Sequence, residues 1–304
     1  MANKRIGFIG VGMMGHGMAK NLGEKGFPLT VLGNRNRQPV EDLVGRGAKE
    51  AKDVADLVGA SDIVVICVTG SPQVEDLVYR KNGILESARS GQIVVDTSTS
   101  QPSSTLRIAA DLKAKGVRLV DAPLTRTPVE AEQGRLNTMV GADEATFKEI
   151  EPVLEAFCEN IFHVGGTGAG HKIKLINNFA AIGQMALTAE ALAACVKLGV
   201  DPKKYFQLVS TGGANSGIFQ ALAGQAIEGN FKGMKFGLAN AAKDVRYYST
   251  MAMENGVSGP MAAATMQTLL AAVNLGFGTP EHLVASLVEA QAKINGVSFP
   301  PKAG

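Results

Sequence analysis

The sequence is poor in the side chains that build metal sites and disulfide frameworks. It contains four histidines without metal-ligand spacing, and three cysteines, Cys67, Cys158 and Cys195, without a C-x-x-C pair. An odd number of cysteines in apolar or helical contexts, in a chain without a recognisable secretory signal, predicts reduced thiols and a cytoplasmic protein. The spacing of the histidines predicts that no metal is bound.

An excess of charge of one sign is also lacking. The formal net charge is +2, and no basic block stands out among the 304 residues. This balance predicts no nucleic-acid partner and no anionic membrane surface as a partner. The most apolar helical stretch, Phe179 to Val196, contains Gln184, Thr188 and Glu190, which favours a buried core helix over a membrane span. No G-x-S-x-G motif is present, and no cysteine lies in an electropositive setting, so nucleophilic catalysis is not indicated.

The first half of the chain has a regular alternation of strand-like and helical segments. Helical stretches such as Pro39–Arg46 and Pro102–Lys115 separate continuous apolar runs, which predicts a mostly parallel sheet with both faces covered. The fold class is therefore a doubly wound, Rossmann-like α/β sheet. The predicted strands are Arg5–Ile9, Leu29–Leu32, Ile63–Val68, Ile93–Asp96 and Arg118–Asp121, with a further short run at Asn137–Val140.

A G-x-G-x-x-G motif follows the first of these strands and precedes a helical stretch. Its residues are Gly10, Val11, Gly12, Met13, Met14 and Gly15. The first glycine permits a tight turn, the second lets the backbone approach phosphates, and the third lets the helix pack closely. The helix N-terminus then faces an anion, which predicts binding of a dinucleotide pyrophosphate. The alternative is a plain glycine turn.

The second half changes character at the glycine-rich joint from Gly165 to Gly170. A long helix over His171–Leu198 is predicted to join a dinucleotide-binding domain, 1–164, to an all-α substrate and oligomerisation domain, 165–304. The later predicted helices are Pro202–Ser210, Phe219–Glu228, Lys235–Asn255, Pro260–Asn274 and Glu281–Asn295. These apolar helices carry more hydrophobic surface than one small domain needs, which favours a homodimer or homotetramer.

The end of the second strand indicates which dinucleotide is bound. NAD-binding folds place a carboxylate about 20 residues past the glycine loop to bind the ribose hydroxyl. Here Asn34, Arg35, Asn36 and Arg37 occupy that position, and a guanidinium suits a 2′-phosphate. NADP is therefore favoured over NAD. The alternative is that these arginines are surface residues of a loop with no role in cofactor binding. At other strand ends, Val68, Thr69 and Thr99 are expected to touch the cofactor, although ordinary turn chemistry is the alternative.

The remaining candidates for chemistry are general acids. Lys174 lies near the start of the long helix, and Asn178 is four residues later on the same face. An ammonium and an amide together can polarise and protonate a carbonyl oxygen while a hydride is delivered to its carbon. Lys172 competes with Lys174 but points to a different face. Spacing alone leaves open a solvated surface lysine.

Five ordered motifs resemble those of the β-hydroxyacid dehydrogenase family, which includes 3-hydroxyisobutyrate dehydrogenases and tartronate semialdehyde reductases. They are the segment from Gly7 to Leu22, Asp96-Thr97-Ser98-Thr99 with Pro102, Asp121-Ala122-Pro123 continuing to Met139-Val140-Gly141, the helix start from Gly168 to Asn178, and Lys243-Asp244.

The resemblance implies reversible hydride transfer between a nicotinamide cofactor and a small β-hydroxy acid or its semialdehyde. It implies that Lys174 is the catalytic acid and base, that Asn178 orients the substrate, and that Thr99 and Lys243 border the nicotinamide. The pair Asn34-Arg35 matches NADP-preferring members. The family also implies a long helix between the domains and closely associated subunits.

One segment departs from the family. Most members that act on simple hydroxy acids carry Ser-Gly-Gly after D-A-P-V, whereas this chain has Thr125, Arg126 and Thr127. Similar loops with Arg-Thr occur in sulfolactaldehyde reductases, so the substrate is expected to be a small anionic hydroxy acid or aldehyde bearing a sulfonate or a carboxylate. The alternative is that Arg126 is a structural salt-bridge partner.

The sequence leaves two rival functions open. One is a non-catalytic dinucleotide-binding sensor, and the other is an imine reductase-like enzyme on the same fold. An intact Lys174 and Asn178 disfavour both, because a sensor does not need them and imine reductases of related fold usually replace the lysine.

Overall fold

The computed structural model describes residues 4–301. The chain divides into two compact units, the first ending at Lys174 and the second beginning at Leu175. The division falls inside a helix, ten residues beyond the boundary predicted from composition. In the part of that helix that belongs to the first unit, the side chains of His171 and Lys174 hydrogen-bond to other groups of that unit.

The first unit alternates strands and helices over its described residues. The strands are β1 (Ile6–Ile9), β2 (Leu29–Leu32), β3 (Lys49–Ala51), β4 (Ile63–Ile66), β5 (Ile93–Asp96), β6 (Arg118–Asp121), β7 (Leu124–Thr125), β8 (Leu136–Gly141) and β9 (Cys158–Gly165). The helices are α1 (Gly15–Glu24), α2 (Gln38–Gly45), α3 (Val54–Ala60), α4 (Ser71–Tyr79), α5 (Ile84–Ser87), α6 (Pro102–Lys113), α7 (Pro128–Glu132) and α8 (Glu144–Leu154).

The strands form one twisted, mostly parallel sheet in the order β3-β2-β1-β4-β5-β6-β8-β7, with β9 paired to β8. The pairs from β3 to β6 are parallel, whereas β8 runs antiparallel to β6 and β7. Alternate residues of β4 enter two different cores, Ile63 and Val65 on one face, Val64 and Ile66 on the other. The predicted doubly wound sheet is confirmed, and its parallel strands bring their carboxyl ends to one edge.

The second unit is helical, as predicted. Its helices are the continuation of α9 (Ala169–Lys197), then α10 (Pro202–Ser210), α11 (Gly217–Ala226), α12 (Leu238–Glu254), α13 (Pro260–Ala272) and α14 (Leu287–Ile294). The predicted helix over Glu281–Asn295 is wrong in its first part. Leu283 forms a bridge with Gly237 there, and a short 3-10 turn precedes α14. The core of this unit contains Leu192, Leu222, Leu269 and Val288.

Helix α9 is 29 residues long, and its most apolar window has a mean hydropathy of 1.6. By length and composition it is the one helix of the described chain that is able to cross a membrane. Core helices of soluble proteins have the same properties, and 44% of that window is buried within the protein.

Candidate active site

The glycine motif forms a tight loop between β1 and α1. Gly10 has φ +101°, and a Cβ on it would lie 2.1 Å from the carbonyl oxygen of Cys67. A Cβ on Gly15 would lie 2.0 Å from the carbonyl oxygen of Gly10. Gly12, by contrast, has no atom within 4 Å of its Cβ position. The loop is therefore packed on its inner side and open at Gly12, where the backbone can approach a pyrophosphate at the N-terminus of α1.

The other residues of the motif have separate positions. Val11 is buried against the sheet, and Met14 precedes the first residue of α1. Met13 is 77% exposed. The loop thus fits a dinucleotide on geometric grounds.

Two arginines follow β2 and differ in their contacts. Arg37 makes a bidentate pair with Glu50 of β3, with Nη1–Oε1 and Nη2–Oε2 distances of 2.7 and 2.8 Å. Both groups crowd Gly33, where a Cβ would lie 2.2 Å from Arg37 Nη1. Asn34 and Arg35 lie in the loop between Gly33 and Arg37. Arg35 enters no ion pair among the described residues. Arg35 is therefore the guanidinium open to a phosphate.

The turns after β4 and β5 are hydrogen-bonded to each other. The backbone N–H of Val68 donates to Ser98 Oγ at 3.0 Å, and Asp96 Oδ1 accepts from the Ser98 N–H at 2.9 Å. Thr69 lies in the same turn as Val68, and Thr99 is half-buried beside Ser98. The three predicted cofactor residues on these turns consequently share the carboxyl edge of the sheet.

The N-terminus of α9 is capped by a carboxylate from another element. Asp121, at the end of β6, is fully buried and accepts hydrogen bonds from the N–H groups of Gly168 and His171 at 2.6 and 2.7 Å. Burial raises the pKa of the Asp121 carboxyl, and the neighbouring imidazole and these N–H groups oppose that rise. Gly170 is required here, since a Cβ would lie 2.3 Å from the Met139 carbonyl oxygen.

Lys174 follows this cap by one turn and is only 8% exposed. Its Nζ donates to the carbonyl oxygen of Leu124 at 2.6 Å, on the strand that follows β6. Lys172 is exposed. The geometry thus distinguishes the two lysines, because a buried ammonium beside the carboxyl edge of the sheet is expensive unless it has a use or several partners.

In the second unit, a buried carboxylate orients the predicted amide. Asn178 Nδ2 donates to Asp244 Oδ2 at 2.6 Å, and Asp244 is 2% exposed. Lys243 Nζ lies 2.9 Å from Asp244 Oδ1 and 5.0 Å from the centroid of the Tyr247 ring. Asp244 therefore fixes both predicted residues of this unit, Asn178 and Lys243.

The segment expected to bind the substrate anion has its own contacts. Arg126 pairs with Glu159 and hydrogen-bonds to the Arg135 carbonyl oxygen, which is the contact expected of a structural salt-bridge partner. Its φ is +80°, the left-handed conformation that suits glycine. Thr127 caps α7 in a capping box with Glu130, and Thr125 pairs with Asn137 in β8. The role of this segment toward substrate stays a prediction.

The sequence analysis gave no role to three acidic residues and a histidine that hold these segments in place, namely Asp96, Asp121, Asp244 and His171. The signal for the first two is an acid that ends a buried apolar strand, as in Ile93–Asp96 and Arg118–Asp121. Burial raises the pKa of the Cys67 thiol to about 11 and raises that of Cys158 still further, so both thiols are poor nucleophiles.

Comparisons with known proteins match both units. Residues 5–165 match the NAD-binding domain of 6-phosphogluconate dehydrogenase, and residues 168–286 match the domain described as NAD-binding of NADP-dependent 3-hydroxyisobutyrate dehydrogenase. The 2-(hydroxymethyl)glutarate dehydrogenase of Eubacterium barkeri is 33% identical over 295 residues, which cover 97% of each chain. The 3-sulfolactaldehyde reductase of Escherichia coli is 30% identical over 273 residues, 90% of this chain and 91% of the relative.

A solved structure extends these matches to the fold. The 3-hydroxyisobutyrate dehydrogenase of Salmonella typhimurium superposes with a TM-score of 0.82 at 26% identity, covering 94% of this chain and 99% of that one. Fold, glycine loop and sequence together define an NAD(P)-dependent oxidoreductase that acts on CH–OH groups. Within that class, the chain belongs to the β-hydroxyacid dehydrogenase family related to 3-hydroxyisobutyrate dehydrogenase.

Proposed function

We propose that this enzyme reduces a small aldehyde, or oxidises the corresponding hydroxy acid or sulfonate analogue, with Lys174 as the proton donor and acceptor. One observation carries the proposal: the buried Lys174 ammonium, held at 2.6 Å from the Leu124 carbonyl oxygen at the first turns of α9. When bound, the nicotinamide cofactor supplies or accepts the hydride.

The lysine balances the charge that hydride transfer creates. In reduction, the Lys174 ammonium donates a hydrogen bond to the carbonyl oxygen and transfers its proton as that oxygen becomes an alcohol. In oxidation, the neutral amine accepts the hydroxyl proton. The backbone carbonyl of Leu124 orients the ammonium, and Asp121 fixes the helix from which the lysine projects. Asn178, one turn further along the same helix, is proposed to orient the substrate.

The preferred cofactor is proposed to be NADP. Arg35 is available to a 2′-phosphate, while Glu50 occupies Arg37. Arg35→Ala is expected to weaken NADPH binding more than NADH binding, measured by cofactor fluorescence titration. Arg37→Ala is the matched control, since it removes a guanidinium already held by Glu50. Equal losses for both cofactors in Arg35→Ala would contradict the NADP assignment.

The substrate is proposed to be a three-carbon aldehyde or alcohol that carries a sulfonate or a carboxylate. The sulfolactaldehyde reductase among the relatives supports this proposal. The presence of Arg126 in a backbone conformation that suits glycine supports it as well. A panel with both cofactors tests it, setting sulfolactaldehyde and dihydroxypropanesulfonate beside 3-hydroxyisobutyrate, 3-hydroxypropionate, glycerate, serine and 4-hydroxybutyrate. Turnover of a sulfonate or carboxylate substrate is expected. Cofactor binding without turnover of any compound would favour a dinucleotide sensor.

The protein is further proposed to be a cytoplasmic homo-oligomer without nucleic-acid or membrane partners. Large apolar side chains of the second unit are exposed, among them Leu187, Leu198, Leu208 and Met253, each at 70% or more. Light scattering after size exclusion is expected to give the mass of a dimer or tetramer, and cell fractionation is expected to find the protein in the soluble fraction. A monomeric mass or recovery with membranes would overturn the corresponding part of the proposal.

A further inference from the structure

A fully buried histidine lies in the first turn of α9, outside the residues to which a role has been given. His171 Nε2 is 3.1 Å from the carbonyl oxygen of Ser98, and Nδ1 is 2.7 Å from the hydroxyl oxygen of Thr105. A carbonyl oxygen can only accept, so Nε2 carries a hydrogen and donates it. Both ring nitrogens therefore have partners, and the orientation of the ring is fixed.

The imidazole also lies between two buried carboxylates. Asp96 Oδ2 is 3.8 Å from Nε2, and Asp121 Oδ2 is 3.9 Å from Nδ1. Each carboxylate organises a different segment. Asp96 accepts from the Ser98 N–H and the Ser100 hydroxyl, and so shapes the turn after β5. Asp121 caps the start of α9 through the N–H groups of Gly168 and His171.

These two segments carry the residues proposed to meet at the reacting atoms. The turn after β5 carries Thr99, which the family resemblance predicts to border the nicotinamide. The helix carries Lys174, three residues after His171 and on the same face. The ring of His171 connects the two directly, because it hydrogen-bonds to the turn while its own backbone N–H is part of the helix cap.

We propose that His171 is a positioning residue for hydride transfer, which holds the turn bearing Thr99 in register with the helix bearing Lys174. The inference rests on the proposed function, since it assumes that these two residues face the reacting atoms. Hydride and proton transfer require the donor and acceptor atoms to be placed within a fraction of an ångström, and a displacement of about 1 Å costs on the order of 10²-fold in rate. Loss of the imidazole is expected to act through this displacement.

The test compares His171→Ala, the conservative His171→Gln and a matched control, Gln92→Ala. Gln92 is also a buried residue of the first unit, 3% exposed, and its Nε2 donates to two carbonyl oxygens at 2.8 Å. It precedes β5 and so lies at the opposite edge of the sheet. His171→Ala is expected to lower kcat on the order of 10²-fold with KM for both substrates little changed. His171→Gln can still donate to Ser98 and is expected to recover about tenfold of that loss.

Two further readouts separate positioning from a general loss of structure. The isotope effect on kcat, measured with cofactor deuterated at the transferred hydrogen, is expected to rise in His171→Ala, because hydride transfer becomes rate-limiting. A misfolded, inactive fraction of the protein would lower kcat without changing the isotope effect. Without cofactor, hydrogen exchange is expected to quicken over residues 97–100 and 168–174 in His171→Ala and to remain unchanged there in Gln92→Ala.

The inference is overturned if His171→Ala retains kcat within about twofold, or if Gln92→Ala loses as much. Absence of turnover in the unmutated enzyme with every substrate would instead contradict the proposed function. In that case the exchange measurement still decides whether His171 links the two segments.

Discussion

At the scale of single residues, the candidate site is distinguished by polar side chains that are buried. Lys174, His171, Asp96 and Asp121 are all less than a tenth exposed, and each has a hydrogen-bond partner within the first unit. Burial of such groups costs free energy unless they are paired, and their concentration at one edge of the sheet supports the proposal that the reaction takes place there.

Arg126 allows substrate binding to be separated from stability. Its left-handed backbone costs a non-glycine residue about 1–2 kcal/mol, and a partly exposed ion pair with Glu159 contributes only about 0–1 kcal/mol. Arg126→Gly is therefore expected to leave the melting temperature unchanged or to raise it. It is also expected to raise KM for the anionic substrate about 10- to 100-fold, because a charge-assisted contact is lost.

Arg135→Ala is the control for this prediction, since Arg135 also contacts Glu159, at 3.3 Å, but lies outside the segment that departs from the family. Steady-state kinetics on the two variants decide the matter. A KM unaffected by Arg126→Gly for all anionic substrates would leave Arg126 with a structural role only.

At the scale of elements, the interior strands were predictable and the peripheral ones were not. β2, β5 and β6 have the predicted bounds because each of them contains buried apolar residues, and β5 is buried at all four positions. β3 reads Lys-Glu-Ala, β7 has two residues, and β9 is largely exposed. These strands lack a hydrophobic pattern of their own, and their pairing depends on neighbours that are distant in the sequence.

Parts of the candidate site were likewise predictable from the sequence, and other parts were not. The glycine loop was predictable from its local pattern. The choice of Lys174 also needed the family resemblance, because spacing alone left a solvated surface lysine open. The links among Asp96, Asp121 and His171 were not predictable, since each joins residues separated by tens of positions. Tertiary contacts of this kind leave only an indirect trace in the sequence, here an acid at the end of a buried strand.

The junction between α9 and the sheet gives a prediction at this scale. A Cβ on Gly170 would lie 2.3 Å from the Met139 carbonyl oxygen and 2.7 Å from that of Asp121, neither of which can move without the sheet. Gly170→Ala is expected to destabilise the protein by about 1–3 kcal/mol, the usual cost of overpacking, and to lower turnover. Gly166→Ala, with no atom within 4 Å of the new Cβ, is the control. Urea unfolding that finds the two variants equally stable would contradict this close packing.

At the scale of the whole molecule, acid stability depends on carboxylates held by arginines. Asp62 accepts from the Arg5 backbone and side chain, and the Arg89 guanidinium lies 3.2 Å away. The hydrogen bonds from Arg5 hold the pKa of Asp62 at about 2, below its ordinary value of 3.8. A carboxyl whose pKa is lower in the folded state than in the unfolded state stabilises the protein at pH values above the unfolded-state pKa. This stabilisation is lost as the pH falls from about 3.8 toward 2.

Asp62→Asn is therefore expected to destabilise the protein at pH 7 by on the order of 1 kcal/mol, after allowance for screening by water. The difference from the unmutated protein is expected to shrink as the pH approaches 2. Thermal unfolding across this range measures it, with Glu155→Gln as the control at an exposed carboxylate that enters no ion pair in the described part of the chain. A difference that stays constant with pH would exclude this role for Asp62.

The central claim is that the Lys174 ammonium exchanges the proton that accompanies hydride transfer. The most direct measurement is the single-turnover rate of cofactor oxidation in Lys174→Ala, with Lys172→Ala as the matched control two residues away on the exposed face. We expect a loss of about 10²–10⁴-fold in Lys174→Ala with cofactor affinity little changed, and a normal rate in the control. A near-normal rate in Lys174→Ala would contradict the central claim.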